Sequence, residues 1–297
     1  MCKKKKRNLK MKQILNKFKL YWPLIKSLQT GLLIITGIAG YISSQCPVMT
    51  WQTFLGLVGS LFLTVSGSTI LNMVYDRDID AKMNRTSHRP LPSGKLDVKE
   101  ALILGLTLSF VGVYWAVTLS TLFGVIIFAG LFIDVIIYTV WLKRKTAWSI
   151  VWGGISGGMP ILAGRALGTG EIDLIGLLFT ISILLWIPTH ILTFSIRYSK
   201  DYAQAGVPTF PSTYGEDKTR LIIAISSLGA ALAIVIGSFA LGLSWGYLRL
   251  LAVLAIGVIA LAILSVYKPS EKVNFGLFKY ASMYMLGSMV MVTLGTI

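Results

Sequence analysis

The sequence predicts an all-α polytopic membrane protein, with nine transmembrane helices in one bundle. Hydrophobic residues make up 55% of its 297 positions and charged residues only 13%, whereas soluble domains carry about 25% charged residues. Apolar stretches long enough to cross about 30 Å of hydrocarbon recur along the whole chain. The basic residues between these stretches are concentrated on alternate loops. These three observations define the fold class.

The nine predicted spans follow one another closely from residue 28 to the end of the chain. They cover 28–45, 51–75, 100–118, 121–142, 148–167, 174–196, 220–241, 246–267 and 277–296. The fifth contains a glycine-rich run and Arg165, but glycine is common in membrane helices. We therefore predict a single transmembrane domain over 28–297, preceded by a basic cytoplasmic tail over 1–27.

The distribution of Lys and Arg predicts that the N terminus is cytoplasmic. In the nine-span topology, the segments on the same side of the membrane as the N terminus hold 26 of the 28 Lys and Arg residues. The segments on the opposite side hold only Arg165 and Arg249. Positive loops stay on the cytoplasmic side, so the net charge of +16 indicates orientation and attraction to lipid. We expect a multi-pass protein of the cell membrane, with no nucleic-acid partner.

A stripe of polar residues ends the second span. Asn72, Asp76 and Asp80 are spaced i, i+4, i+8, which keeps them on one helix face. Two carboxylates about 6 Å apart along the axis repel each other unless a cation lies between them. Mg²⁺ accepts one or two carboxylates together with phosphate oxygens. A helix emerging into water is the alternative, but Ser68 continues the stripe into the apolar span, which favours a functional site.

Basic residues near this stripe are candidate phosphate ligands. Arg85 and Arg89 lie four residues apart in a proline-containing loop, and the arginine fork suits phosphate oxygens. Plain charge balance is the alternative. Lys143 follows the fourth span, with Tyr138 and Asp134 expected one and two turns above it on one face. The positive-inside rule explains Lys143 equally well.

A second polar face is predicted at the end of the sixth span. His190, Arg197 and Asp201 are spaced by seven and four residues and so share one helix face. Arg197 and Asp201 form an ordinary i, i+4 ion pair in one interpretation. In the other, Arg197 binds an acidic substrate while Asp201 holds a second metal ion. His190 is either a site residue or a hydrogen-bonding partner of a neighbouring helix.

This set of groups favours transfer of a prenyl group from a lipid diphosphate. Mg²⁺ and basic side chains would stabilise the leaving diphosphate, and an apolar bundle would keep water from an allylic cation. A cation-coupled transporter that uses Asp76, Asp80, Asp134 and Asp201 is the alternative from another class. Because transporters keep their acids near the bilayer midplane, the clustering of three of these four at one face favours the enzyme.

The motifs resemble a known family. N-x-x-x-D-x-x-x-D over Asn72–Asp80 and RTxxRPLxxG over Arg85–Gly94 are similar to the motifs of the UbiA-type intramembrane prenyltransferases. Within that superfamily, segments 76–83, 142–160 and 190–208 most resemble the protoheme IX farnesyltransferases. The resemblance extends from Lys26 to the last helix. It implies a UbiA-like bundle with an active site that faces the cytoplasm.

The resemblance also implies a reaction and roles for residues. Farnesyl would pass from farnesyl diphosphate to the 2-vinyl group of protoheme IX, giving haem O, with Mg²⁺ as cofactor and association with haem A synthase or the terminal oxidase. Asn72, Asp76 and Asp80 would hold Mg²⁺–diphosphate, with Asp201 joining them. Arg85, Arg89, Lys143 and Lys200 would contact phosphate. We take Tyr138 as a residue that lines the site. His190 and Arg197 are our own candidates for the haem side, as iron ligand or propionate partner.

Two features depart from the family pattern. Ala205 occupies the position four residues after Asp201, where many members carry a second acid, and Pro208–Pro211 replaces a PMLP-like segment. An acceptor of another kind, either an aromatic acid or a glycerol phosphate lipid, is therefore the alternative within the superfamily.

Overall fold

The structure, a computed structural model, describes residues 19–45 and 49–297. Within these residues the chain forms helices joined by short loops, as the sequence predicts. The predicted basic tail falls outside the described residues over 1–18. Its last part packs against the bundle, because Leu24 is buried and its carbonyl oxygen accepts a hydrogen bond from the Thr69 hydroxyl at 3.0 Å.

Nine long helices make up the bundle within the described ranges, and each overlaps one predicted span. The helices are α1 (Ser27–Ile42), α2 (Trp51–Tyr75), α3 (Arg77–Lys82), α4 (Val98–Leu119), α5 (Thr121–Phe132), α6 (Ser149–Thr169), α7 (Leu174–Arg197), α8 (Ser199–Gln204), α9 (Phe210–Tyr214), α10 (Glu216–Ala240), α11 (Trp245–Tyr267) and α12 (Glu271–Thr296). Of these, α3, α8 and α9 are short loop helices. A π-helix over Ile133–Leu142 continues α5.

Seven of the described helical spans are long and apolar enough to cross a membrane. An eighth is added if Lys19–Ile25 and Ser27–Ile42, which meet at 45°, form one bent span. Helix α6 is not among the seven, because its glycines and Arg165 lower its hydropathy. Large apolar side chains such as Phe110, Phe239 and Tyr267 are exposed on the bundle surface, which suits contact with lipid. The nine-span topology and its orientation stay predictions.

Helices α1 and α6 cross with their backbones almost in contact. A Cβ atom added at Gly40 would lie 2.1 Å from the carbonyl oxygen of Ile161, and one at Gly164 would lie 1.9 Å from the carbonyl oxygen of Gly37. No side chain larger than hydrogen fits at such distances. Small residues at a helix crossing allow this close packing in membrane proteins, and they explain the glycine-rich run in the fifth predicted span.

Arg165, the charge within that predicted span, is neutralised by the loop that follows α6. It is 5% exposed, its Nη2 donates to Asp173 at 2.5 Å, and its Nη1 donates to the carbonyl oxygen of Ser43. Asp173 also accepts from the backbone N–H of Gly176 at 2.8 Å and so caps α7. The ion-pair partner of Arg165 is therefore Asp173, eight residues further along the chain.

The two acidic loops after α2 and α7 meet at one end of the bundle. Ile79 and Met83 from the first loop pack against Ala205 and Val207 from the second in a small buried apolar cluster, here called the interloop cluster. Ala205 contributes to this packing, which accounts for an apolar residue four positions after Asp201. The cluster holds the segments of Asp80 and Asp201 next to each other.

Candidate active site

The acidic stripe crosses a break between α2 and α3 without losing its helical register. Asp76, the residue between the two helices, has φ −85° and ψ 2°. Its N–H still donates to the Asn72 carbonyl at 2.9 Å, and the Asp80 N–H donates to the Asp76 carbonyl at 2.8 Å. The residues Asp76 and Asp80 are only 5% and 8% exposed. Since a buried carboxylate is costly unless it is paired, their partners define the site.

Asp76 forms an ion pair with Lys143. The Lys143 ammonium donates to Oδ2 of Asp76, and Nη2 of Arg144 lies 4.0 Å from Oδ1. That Oδ1 atom is buried and has no hydrogen-bond partner. An unsatisfied buried carboxylate oxygen is uncommon and is available to a further cation.

Asp80 is paired with an arginine from the loop that follows it. The Thr86 hydroxyl donates to the Asp80 carbonyl at 2.8 Å, which folds the loop back over α3. This turn brings Nη1 of Arg89 to 3.0 Å from Oδ2 of Asp80. Each buried carboxylate therefore accepts a hydrogen bond from one basic side chain, supplied by a different segment of the chain.

Asp78, which lies between these two acids, points away from the site. Its carboxylate is 55% exposed and receives both Nη groups of Arg144, at 2.7 and 2.6 Å. The Arg144 guanidinium lies 4.6 Å from the centre of the Tyr75 ring. The sequence predicts this difference, because Asp78 is off the Asn72 stripe.

Asn72 is directed into the bundle, where both ends of its amide are used. Its Nδ2 donates to Asp134 at 2.8 Å, and its Oδ1 accepts from the Thr139 hydroxyl at 2.9 Å. The Ser68 hydroxyl also donates to Asp134, at 2.5 Å. These contacts make Asn72 a link between α2 and the π-helix, and they give the intramembrane Asp134 two donors.

The π-helix brings Tyr138 and Lys143 together. In an α-helix, residues five apart differ by about 140° in direction. Tyr138 and Lys143 would therefore not share a face of an α-helix, contrary to the sequence expectation. Here the Lys143 N–H donates to the Tyr138 carbonyl at 2.8 Å, an i to i−5 bond typical of a π-helix. The Lys143 ammonium consequently lies 5.6 Å from the Tyr138 ring centre.

The surroundings of Lys143 favour its charged form. Burial alone would lower the pKa of the Lys143 ammonium, but its interactions with the neighbouring Tyr138 and with the Asp76 carboxylate outweigh burial and raise the pKa above its ordinary value. Lys143 is therefore a cation at neutral pH. It can balance the charge of Asp76 and also attract an anionic ligand.

Arg85, in the first acidic loop, contacts the end of α7 and the second acidic loop. The Arg85 guanidinium lies 4.8 Å from the Phe194 ring centre and 5.4 Å from that of Tyr198. Its backbone N–H donates to Asp201 in a long bond of 3.4 Å, and its Nε is buried without a hydrogen-bond partner. Arg85 thus connects the two halves of the site.

Of the two interpretations of Arg197 and Asp201, the ordinary i, i+4 ion pair is wrong. Helix α7 ends at Arg197, and Tyr198 has φ −107° and ψ 27°, so the chain turns before α8 begins. Arg197 lies instead 4.0 Å from the Phe275 ring centre and 3.9 Å from Glu271. Lys200 is exposed at the surface of the same turn.

Lys26 belongs to the electrostatic environment of the site, although we assigned it to the tail. It lies close enough to Lys143, Arg89, Asp134 and Asp80 to interact with their charges. Its backbone is left-handed, with φ +44°, where the entry segment bends into α1. The one available signal in the sequence was its position as the last basic residue before the first span.

An apolar cavity of about 590 Å³ lies within the bundle next to these charges. Ser68, Asp134 and Tyr138 line it from α2 and the π-helix, and His190 lines it from α7. Most of the other lining residues are aliphatic or aromatic. Tyr138 therefore faces both the cavity and Lys143, and it connects the charged region with the apolar one.

Carboxylates suited to a hard cation are present, but the protein supplies few of them. In the described part of the chain, no three carboxylate, imidazole or thiol groups gather closely enough to hold a metal ion. Asp76 and Asp80 fit Mg²⁺ by donor type, since Mg²⁺ is commonly held by one or two carboxylates with phosphate and water oxygens. The unpaired Oδ1 of Asp76 is the atom most readily offered.

The fold and this site define an intramembrane prenyltransferase. The family model "UbiA prenyltransferase family" matches residues 33–286, and the chain belongs to that family. Membership decides between the two classes considered from the sequence, in favour of the enzyme over the transporter.

Several relatives are similar over most of their length, and they carry the name protoheme IX farnesyltransferase. The protein from Pyrobaculum islandicum is 36% identical over 263 residues, which cover 88% of this chain and 94% of the relative. That from Desulforudis audaxviator is 33% identical over 276 residues, 90% and 85% of the two chains. That from Archaeoglobus fulgidus is 38% identical over 213 residues, 72% and 75%.

Solved structures share the fold. A structure of digeranylgeranylglyceryl phosphate synthase has a TM-score of 0.78 at 21% identity, covering 95% of this chain and 99% of that one. A UbiA homologue from Archaeoglobus fulgidus bound to GPP and Mg²⁺ has a TM-score of 0.66 at 13% identity, covering 93% and 99%. These likenesses show that the bundle is UbiA-like.

Proposed function

We propose that this protein transfers a farnesyl group from farnesyl diphosphate to the 2-vinyl group of protoheme IX and so produces haem O, with Mg²⁺ as cofactor. The observation that carries the proposal is the pair of buried carboxylates Asp76 and Asp80, each held by a basic side chain, beside an apolar cavity of about 590 Å³. The names of the relatives at 33–39% identity support farnesyl as the transferred group and protoheme as the acceptor.

Asp76 and Asp80 would hold one Mg²⁺, and Asp201 on the second loop would hold a second ion. The free Oδ1 of Asp76 and the oxygen chemistry of the three side chains fit this ion. The UbiA homologue bound to GPP and Mg²⁺ supports the same type of ion. When bound, Mg²⁺ would neutralise charge on the leaving diphosphate. Asn72 would act one step away, because its amide is engaged by Asp134 and Thr139.

Basic side chains would bind the diphosphate itself. Lys143 and Arg89 already neutralise the two acids, and their remaining N–H groups would be available to phosphate oxygens. Arg85 offers a buried Nε without a partner. Lys26 would add a fourth charge, and the exposed Lys200 a fifth at the entrance. This excess of positive charge would stabilise the diphosphate most as its bond to carbon breaks.

The cavity would hold the farnesyl chain away from water. Departure of diphosphate takes the electron pair of the C1–O bond and leaves an allylic cation on the farnesyl group. The vinyl π electrons of the acceptor then form the new C–C bond to C1. A water molecule adds to the resulting porphyrin-side cation and loses a proton, which gives the hydroxyl group. The aliphatic walls would exclude water until the C–C bond has formed.

The acceptor is tested by direct assay. Membranes containing the protein are incubated with labelled farnesyl diphosphate, Mg²⁺ and either protoheme, 4-hydroxybenzoate or a geranylgeranylglyceryl phosphate. Mass spectrometry should show haem O in the first sample. Label in the second or third product instead of haem O would replace the proposed acceptor by an aromatic acid or a glycerol phosphate lipid.

The carboxylates are tested with a matched control on the same turn of the chain. Asp76→Asn and Asp80→Asn should each lower haem O formation by at least about 100-fold, whereas Asp78→Asn should leave it near the wild-type rate. Asp78 is the right control because it is charged and adjacent but exposed. Wild-type turnover in Asp76→Asn would overturn the metal–diphosphate assignment.

We also propose that the protein spans the cell membrane nine times, with its N terminus and the acidic loops in the cytoplasm. The concentration of 26 of 28 basic residues in the loops of one side supports this orientation. Single cysteines introduced at Lys145 and at Glu171 should react from opposite sides with a membrane-impermeant reagent. Association with haem A synthase or the terminal oxidase stays an expectation, which cross-linking in native membranes would test.

A further inference from the structure

His190 is held rigidly in the wall of the apolar cavity. Its imidazole lies between two rings, with centroids 5.0 Å from Trp186 at an interplanar angle of 20° and 4.6 Å from Phe278 at 23°. Trp186 precedes it by one turn of α7, and Phe278 comes from α12. The ring is thus fixed by stacking on both faces, and only its edge is available for polar contacts.

The hydrogen bonds of Ser282 identify which ring nitrogen carries the proton. The Ser282 hydroxyl lies 3.1 Å from the Phe278 carbonyl oxygen and 3.2 Å from Nδ1 of His190. A carbonyl oxygen only accepts, so the single hydroxyl hydrogen is used there. The hydroxyl oxygen then accepts from Nδ1–H. The neutral imidazole consequently has its lone pair on Nε2, and this atom has no hydrogen-bond partner among the described residues.

We infer that Nε2 of His190 is an axial ligand for the iron of the haem acceptor. This inference rests on the proposed function and adds to it that the iron, as well as the porphyrin ring, is recognised. Histidines that bind metals typically donate their other N–H to an oxygen, which fixes the ring and its tautomer. Haem iron has four ligands from its own macrocycle, so one imidazole is sufficient to hold it.

Two cations lie beside the same aromatic group and suit the carboxylates of such a substrate. The Arg197 guanidinium is 4.0 Å and the Lys279 ammonium 4.4 Å from the Phe275 ring centre. Phe275 stacks in turn against Phe278 at 6.0 Å. Protoheme carries two propionates, and Arg197 and Lys279 beside this stack would balance their charge. Arg197 would exchange its contact of 3.9 Å with the exposed Glu271 for a propionate.

The test is a haem titration of the full chain in lipid nanodiscs, without farnesyl diphosphate. Wild-type protein should bind ferric protoporphyrin IX with a saturable absorption shift and a magnetic circular dichroism signature of imidazole ligation. The chain has only two histidines, and the other, His88, is exposed. His190→Ala should lose the signature and weaken binding by at least about 10-fold, whereas His88→Ala should keep both. An unchanged spectrum in His190→Ala would overturn the inference.

Two further measurements guard against a simple folding defect. Added imidazole should restore the spectral signature in His190→Ala, because it would occupy the space left by the side chain. Ser282→Ala, which removes the acceptor for Nδ1–H but retains the histidine, should weaken haem binding by about 10-fold. Failure of imidazole to restore the signature in monodisperse His190→Ala protein would count against ligation by this residue.

The outcomes separate this inference from the proposed function. Haem O formation at the wild-type rate by His190→Ala would overturn ligation and leave farnesyl transfer intact. A wild-type ligation spectrum without any haem O after addition of farnesyl diphosphate and Mg²⁺ would overturn farnesyl transfer to haem and leave ligation intact. Metal-free protoporphyrin IX should be prenylated at least about 10-fold more slowly than haem. Equal rates for the two porphyrins would contradict a role for the iron.

Discussion

The side-chain amide of Asn72 donates a hydrogen bond to the carboxylate of Asp134 at 2.8 Å. This bond joins the helix that carries Asp76 and Asp80 to the π-helix that ends at Lys143. Asn72 therefore positions the segment that carries Lys143, the basic partner of Asp76. We interpret Asn72 as a positioning residue, whose loss would act through Lys143 and Tyr138.

Removing Asp134 should destabilise the protein. Asp134→Ala leaves the Ser68 hydroxyl and the Asn72 amide without their acceptor, and each unsatisfied buried group costs about 1–3 kcal/mol. We expect a lower melting temperature in detergent, together with reduced haem O formation, because the π-helix loses two of its hydrogen bonds to α2. Melting temperature and turnover equal to wild type would show that the bond contributes little.

Lys143 should matter for catalysis far more than its neighbour in the same basic run. Lys143→Met leaves the buried Asp76 without its cation and removes a candidate phosphate ligand, so we expect a fall of about 100-fold in kcat/KM for farnesyl diphosphate. Lys145→Met is the control, since Lys145 is exposed and serves only the charge balance of the loop. Equal effects of the two substitutions would indicate that both act through the orientation of the protein in the membrane instead.

Chelation of Mg²⁺ should stop farnesyl transfer and leave haem binding intact. Treatment with EDTA should abolish haem O formation, and added Mg²⁺ should restore it, because the carboxylates need the ion to bind diphosphate. Haem binding, measured by absorption in the same sample, should be unaffected. Loss of the haem spectrum on chelation would mean that the metal supports the fold as well as the chemistry.

The ion pair of Arg165 with Asp173 should contribute to stability and leave the chemistry unchanged. Arg165→Met leaves Asp173 without its cation and the Ser43 carbonyl without a donor, and breaking such a pair costs about 3 kcal/mol. We expect a lower melting temperature with unchanged turnover per folded molecule. Arg249→Met, at an exposed position, is the control and should leave the melting temperature unchanged.

Much of the bundle could be predicted because bilayer thickness sets the length of apolar runs. All nine predicted spans overlap long helices within the described ranges. The acidic face was also predictable, since an i, i+4 spacing survives the break at Asp76. The crossing of α1 with α6 was less accessible, because the glycine run indicates close packing but does not name the partner helix.

Other features depend on backbone geometry that side-chain patterns do not encode. The π-helix adds one residue per turn between Tyr138 and Lys143, and no residue type in that segment requires it. The turn at Tyr198 separates Arg197 from Asp201, although their spacing is that of a helical pair. Lys26 looked like one more charge of a basic tail, and only the fold brings it beside Lys143.

The contact between the two acidic loops is made by the side chains of Ile79, Met83, Ala205 and Val207. Apolar burial of this kind is not screened by dissolved ions, unlike attraction between exposed charges. The distance between the segments of Asp80 and Asp201 should therefore hold across a wide range of ionic strength, while the affinity for an anionic substrate weakens as salt rises.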